Sequence, residues 1–282
     1  MTTTPRRITL CADDYGLSPG VNRAIVDLIA RGRLNATSVM TVGAALERSD
    51  VAALNEAAAT NPNCAIGVHL TLTAPFRPLT MYFRPLDGGT FLPLGAMLRL
   101  ATLRRLDTEI MRAEIAAQLA AFTELFGRAP DYVDGHQHVH LFPQVRDAFL
   151  GAVKDAAPDA WVRQCGRPAR KPRRGGPKAL LLDILSVEFR RRAARATLAT
   201  NTGFAGAYDF TKAGDFAALM AGFLANIPDR GLVMCHPGFV DEMLIALDPL
   251  THQREREYQF LASDDFARLL DAQGVRLESG TS

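Results

Sequence analysis

The sequence predicts a barrel-like α/β domain, and three observations carry the prediction. Short β-rich runs alternate with helical patterns along the chain, as expected of a mostly parallel sheet. The chain has 282 residues, 48% of them apolar, a length that suits one large α/β unit with an ample core. Histidines and paired aspartates fall at the C-terminal ends of the predicted strands, the edge where a β/α barrel gathers its active site. No internal repeat is visible, and residues 1–282 are read as a single domain.

The elements follow in order. Residues 8–12 read as the first strand. Ser18-Pro19 supplies a cap and a proline for the opening turn of a helix that Gly32 stops. Residues 37–42 form a second strand, an Ala-rich helix runs to about Ala59, and residues 65–72 form a third strand. A Pro/Gly-rich excursion over residues 73–93 is too long for an ordinary barrel connection. Residues 107–126 have apolar positions near helical spacing at Ile110, Ile115, Leu119, Phe122 and Phe126. Residues 132–138, 161–165, 232–236 and 274–277 complete seven strand candidates. The eighth strand of a full barrel is not visible.

Composition removes several classes of function. No apolar run approaches the roughly 18 residues that span a bilayer, and the stretch after the basic N-terminus is too short for a signal peptide. Cys11, Cys64, Cys165 and Cys235 show no metal-binding or disulfide spacing and read as thiols of a reduced, cytoplasmic compartment. The net charge of +2 conceals a basic segment, residues 163–195, in which eleven Lys and Arg face only Asp183 and Glu188. Without interleaved aromatics or a known module it does not indicate nucleic acid. A solvated loop and helix face is the plain reading. A weak peripheral contact with an anionic membrane is the sharper one, because the segment encloses an apolar run at 179–185. A homo-oligomer is left open.

Four places in the chain carry chemistry. Asp13 and Asp14 end the first strand, as an Asx turn or as a metal ligand beside a base. Asp134, His136, His138 and His140 alternate, so a continuing strand would point all four to one face. Only part of such a run can reach a single ion, leaving the others as orienting or substrate-binding groups. His69 and His236 sit at two further strand ends. Asp14, His69 and one histidine of the 136–140 run would form a two-histidine, one-carboxylate site for a divalent ion, with His236 free to donate a proton.

The motifs Ala12-Asp13-Asp14-Tyr15-Gly16-Leu17-Ser18, Gly67-Val68-His69-Leu70, Asp134-Gly135-His136-Gln137-His138-Val139-His140 and Cys235-His236-Pro237-Gly238-Phe239 resemble those of the YdjC-like carbohydrate deacetylases. That family includes chitooligosaccharide and hopanoid-linked deacetylases. Glu124-Leu125-Phe126-Gly127-Arg128 and Phe142-Pro143-Gln144 resemble the chitooligosaccharide branch. The resemblance implies a distorted, TIM-barrel-like (β/α) barrel and removal of N-acetyl groups from an amino sugar. It maps the metal ligands onto Asp14, His69 and His136, the base onto Asp13 and the proton donor onto His236. Asp134, His138, His140 and Tyr15 are expected to bind substrate or orient the ligands. One Mg²⁺ or Zn²⁺ ion is the expected cofactor. An N-acetylglucosamine-containing oligosaccharide is the expected substrate, with a lipid-linked amino sugar as the alternative. Gln137 departs from relatives that carry another histidine there. A phosphoester hydrolase, an oxygenase and a non-catalytic sugar-binding protein are the rival classes.

Overall fold

β1 (Arg6–Tyr15) opens the fold, and its last eight residues are buried, as in a strand covered on both faces. The computed structural model describes residues 4–168, 177–210 and 214–280. After β1, Ser18 accepts a hydrogen bond from the Val21 N–H (3.3 Å) and Pro19 opens α1 (Pro19–Ala30). β2 (Ala36–Val39), α2 (Arg48–Ala59) and β3 (Ala65–Leu70) follow. The excursion beyond β3 contains an antiparallel hairpin, β4 (Leu86–Asp87) with β5 (Thr90–Phe91), and then α3 (Leu94–Thr102). Asp107 caps α4 (Thr108–Phe126) through the Glu109 and Ile110 N–H groups, and Gly127 ends it at φ 67°.

The second half runs through β6 (Tyr132–Gly135), a 3-10 turn (His136–Leu141), α5 (Val145–Ala156), β7 (Trp161–Val162) and α6 (Pro177–Arg195). It ends with β8 (Phe204–Ala205), α7 (Phe216–Asn226), β9 (Gly231–Cys235), α8 (Glu242–Leu247), α9 (His252–Ala262), α10 (Asp264–Ala272) and β10 (Val275–Leu277).

The main sheet has the order β7-β6-β3-β2-β1-β9-β8, with β10 alongside β1. All its pairings are parallel. β1 holds the centre because it is long enough for three neighbours: Arg6–Ile8 meets β10, Ile8–Ala12 meets β9 and Cys11–Tyr15 meets β2. The sheet curls until its end strands approach. There a bridge between Val162 and Thr200 and the bond from the Val162 N–H to the Ala199 carbonyl (2.9 Å) join β7 to the approach of β8. The result is a distorted (β/α) barrel with a weak seam.

The structure corrects two expectations. An eighth strand exists, but β8 has only two residues, too few to leave a pattern in sequence. It fits against β9 because Gly206 has φ 104°, and a Cβ there would lie 2.1 Å from the Met234 carbonyl. The strand expected to reach residue 138 stops at Gly135, since Gln137 and His138 adopt φ 53° and 61° and turn the chain into the 3-10 segment. His136, His138 and His140 therefore do not share a strand face. The excursion, which the sequence marks only as long, holds a hairpin and a helix and is tied to α4. The buried carboxylate of Glu114 on α4 accepts from the Leu79 N–H (3.0 Å), the Thr80 N–H (2.9 Å) and the Thr80 hydroxyl (2.7 Å).

Candidate metal centre and active site

Asp13 and Asp14 reach the site through a break in strand geometry. The register of β1 against β2 shifts between Ala12 and Tyr15, and Asp14 sits at φ 72°. Such a bulge re-aims side chains that plain alternation would send to opposite faces. Both carboxylates consequently approach His69: Asp14 Oδ1 lies 3.3 Å and Asp13 Oδ2 3.9 Å from its Nε2. The turn after Gly135 brings His136 Nδ1 to 3.0 Å from Asp14 Oδ1.

Asp14, His69 and His136 each offer a ligand atom, all within 4.8 Å of one another. His69 Nδ1 bonds to Asp134 Oδ1 (2.6 Å), and Ser38 donates to Asp134 Oδ2 (2.6 Å). This arrangement directs Nε2 of His69 at the two aspartates, in the way that carboxylates orient metal-binding histidines. One carboxylate oxygen and two imidazole nitrogens, converging and buried, fit a divalent ion such as Zn²⁺ or Mg²⁺. Burial alone would lower the pKa of His69, but Asp134 and Asp13 outweigh it and push it up to about 10. The pocket thus already favours positive charge.

Cys11, Asp13 and Asp134 form a second close trio, but a cation is already there. Arg163 donates from Nη1 to Asp13 Oδ2 (2.8 Å) and from Nη2 to Asp13 Oδ1 (2.7 Å) and Cys11 Sγ (3.0 Å), and it pairs with Asp134. Its side chain is fully buried. Burial opposes ionisation of Asp13, yet Arg163 and His69 more than compensate and hold its pKa below the usual carboxylate value. Asp13 is therefore ionised at neutral pH and fixed in one orientation.

α9 completes the charge arrangement. Arg254, with no exposed surface, donates to Asp14 Oδ2 (2.6 Å) and to Asp248 (2.7 Å). Despite burial, Arg254 and His136 keep Asp14 well below the ordinary carboxylate range. One turn further on, Glu257 accepts from the His236 N–H (2.6 Å) and from the Tyr208 hydroxyl. His236 turns an edge to Phe210, with ring centroids 5.3 Å apart. Its buried Nδ1 has no hydrogen-bond partner among the described residues. Burial pushes its pKa down to about 4, leaving a neutral imidazole at pH 7.

The structure thus brings Asp13, Asp14, His69, His136 and Asp134 together. His140 stands apart: its Nε2 bonds to the Arg163 carbonyl (2.9 Å) between Phe149 and Phe189, where it supports the backbone of Arg163. His138 lies with Nδ1 3.5 Å from Cys165 Sγ and its edge against Phe204. Tyr15 is buried, and its hydroxyl donates to the Asp50 carbonyl (2.7 Å), away from the carboxylates. The expectation that it would join the site fails because the bulge turns the aspartates and not the tyrosine inward. Arg163, Arg254, Glu257 and Ser38 were invisible as site residues. Arg163 was hidden in a basic run, although its place just after a strand was a usable signal. Arg254 and Glu257 lie on α9, where a run of charged residues gives no sign of burial in sequence. Of the basic segment, residues 169–176, with Arg170, Lys171, Arg173 and Arg174, lie outside the described residues.

Comparisons with known proteins bear on the family and the fold. A sequence model of the family described as "YdjC-like protein" matches residues 7–272. A structure from Enterococcus faecalis V583, carried under the provisional description of a cellobiose-phosphate cleavage protein, superposes with a TM-score of 0.73. It is 21% identical, over 98% of this chain and 97% of that one. The lactam utilization protein of Thermus thermophilus gives 0.54 at 15% identity, over 97% and 100%. The Bc1960 peptidoglycan N-acetylglucosamine deacetylase gives 0.51 at 12%, over 97% and 85%. At these identities the likeness is one of fold.

Proposed function

The chain belongs to the YdjC-like protein family, and from that premise we propose that it is a metal-dependent hydrolase that removes N-acetyl groups from an amino sugar. The substrate class is an N-acetylglucosamine-containing oligosaccharide, such as a chitooligosaccharide. The observation that carries the reading is the pairing of a ligand trio, Asp14, His69 and His136, with an adjacent ionised carboxylate that is not needed as a ligand, Asp13. That second carboxylate is held in one orientation by a fully buried arginine, as a base acting on water beside the ion requires.

A divalent ion held by Asp14, His69 and His136 would polarise the acetyl carbonyl and acidify water. The remaining work falls to the protein. Asp13 takes a proton from the attacking water, and Arg163 fixes the direction of that carboxylate. His236 is neutral before reaction, with Nδ1 unclaimed among the described residues. It relays a proton to the leaving nitrogen, so the proton drawn from water ends on the amine. Products are acetate and a free amino sugar.

Acetate release from a panel of N-acetylated sugars, measured with chelator and with added Mg²⁺ or Zn²⁺, tests the proposal. Release that needs the metal supports it. Sugar binding without acetate release under every metal condition refutes it.

A further inference from the structure

Nine large apolar side chains are exposed among the described residues, and four of them belong to the segment between β3 and α4: Leu79 (44%), Met81 (85%), Tyr82 (84%) and Leu103 (55%). The same segment, residues 71–107, carries Arg77, Arg84, Arg99, Arg104 and Arg105 against two acids, Asp87 and Asp107. All five arginines are exposed, and none forms an ion pair with another described residue. The tip is displayed from a firm base. Thr80 is bound to Glu114, and Phe83 is fully buried edge-on to Phe91 at 4.9 Å, so Met81 and Tyr82 stand out between two anchored neighbours.

We propose that this excursion docks the protein on an anionic lipid bilayer, with Met81 and Tyr82 in the headgroup region and the arginines against lipid phosphates. A group of cations in excess over the acids beside it selects an anionic partner and gains most close to a charged leaflet. Tyrosine suits the membrane–water interface, and arginine stems lie along apolar surface while their heads stay hydrated. A single-stranded nucleic acid would call for several aromatic stacking faces along a basic groove, and the segment exposes one tyrosine. No described helix is long and apolar enough to cross a membrane, so the attachment is peripheral. The same excursion supplies Phe76, edge-on to His136 at 5.8 Å, so docking through it sets the bilayer beside the candidate site.

This surface differs from the one the basic segment suggested. α6 does expose Leu180, Leu181, Ile184 and Val187. Three of its described cations are committed, however: Arg192 to Glu188 and Asp147, Arg191 to Glu188, and Arg190 to Gln164, which leaves Arg195 at the end of the helix.

Co-sedimentation of the full chain with phosphatidylcholine vesicles, with and without phosphatidylglycerol, tests the inference at low and high salt. The expected result is binding that requires phosphatidylglycerol and is lost at high salt. Met81→Ser/Tyr82→Ser and Arg104→Glu/Arg105→Glu should each weaken it by about tenfold or more, with unchanged thermal midpoints because the altered side chains are exposed. Absence of phosphatidylglycerol-dependent sedimentation at low salt overturns the proposal. So does binding indifferent to both double substitutions, or heparin binding that equals vesicle binding and ignores Met81 and Tyr82. The readout is independent of acetate release, so the docking surface and the reaction stand or fall separately.

Discussion

Asp14 divides its carboxylate between two tasks. Oδ1 faces His69 and His136, while Oδ2 is held by Arg254. Arg254 therefore presents Asp14 to an ion through one oxygen and keeps the strained residue, at φ 72°, in place. Loss of a partner that orients a ligand typically costs about 10–100-fold in metal affinity. Arg254→Gln should show that loss in a competition titration with a metallochromic chelator, and wild-type affinity would remove Arg254 from the site. His69→Ala and His136→Ala should lose bound metal and most activity, whereas His252→Ala should change little, because His252 is exposed at the start of α9. Metal analysis of the purified variants decides this, and full occupancy in either ligand variant contradicts the assignment.

At the level of elements, two short devices shape the site: the bulge at the end of β1 and the 3-10 turn after β6. Neither was legible. Period-2 alternation assumes an unbroken strand, and nothing about Gln137 or His138 announces a left-handed conformation. α4 was legible to within a residue because Asp107 and Gly127 punctuate a long periodic run. α9 carries a charged pattern in sequence, but its burial depends on partners from other elements. That burial has a measurable consequence. Desolvation raises Glu257 to about 7, from an ordinary value near 4.5. A raised carboxyl pKa means that the folded state binds more protons than the unfolded one, so its contribution to stability is complete below about 4.5 and is lost as pH rises through 7. Glu257→Gln should flatten the fall in thermal midpoint across that window, and an unaltered profile would show that Glu257 does not titrate there. Close packing between β3 and β6 gives a second test. A Cβ on Gly67 would sit 2.6 Å from the Tyr132 ring, which packs on Trp161. Gly67→Ala should destabilise the fold by about 1–3 kcal/mol in denaturant unfolding, and a neutral result would mean that the ring has room to move.

For the whole molecule, the alternation of strands and helices was enough to indicate a curled parallel sheet, because it is repeated along the chain and needs no exact boundary. The seam was not readable: β7 and β8 have two residues each, and beyond one β-bridge the two segments meet through bonds outside regular strands, such as Gln164 with Asn201. The candidate site was half readable for the same reason. Strand ends that carry Asp or His stand out in a sequence, whereas Arg163 and Arg254 matter only through the buried charges they oppose. On the proposed function, a barrel-edge ligand trio works with Asp13 to hydrolyse an N-acetyl group. Acetate release by Asp13→Asn, with its metal content and unfolding midpoint determined in parallel, tests that claim most directly. Loosening the buried Arg163 pair lowers stability, by about 3–5 kcal/mol if the pairing is lost outright, so the midpoint shows whether the comparison is made on folded protein. The expected result is a folded, metal-replete variant that releases acetate about 10²–10⁴-fold more slowly than the parent protein. A metal-replete Asp13→Asn protein with the parent's rate would contradict it.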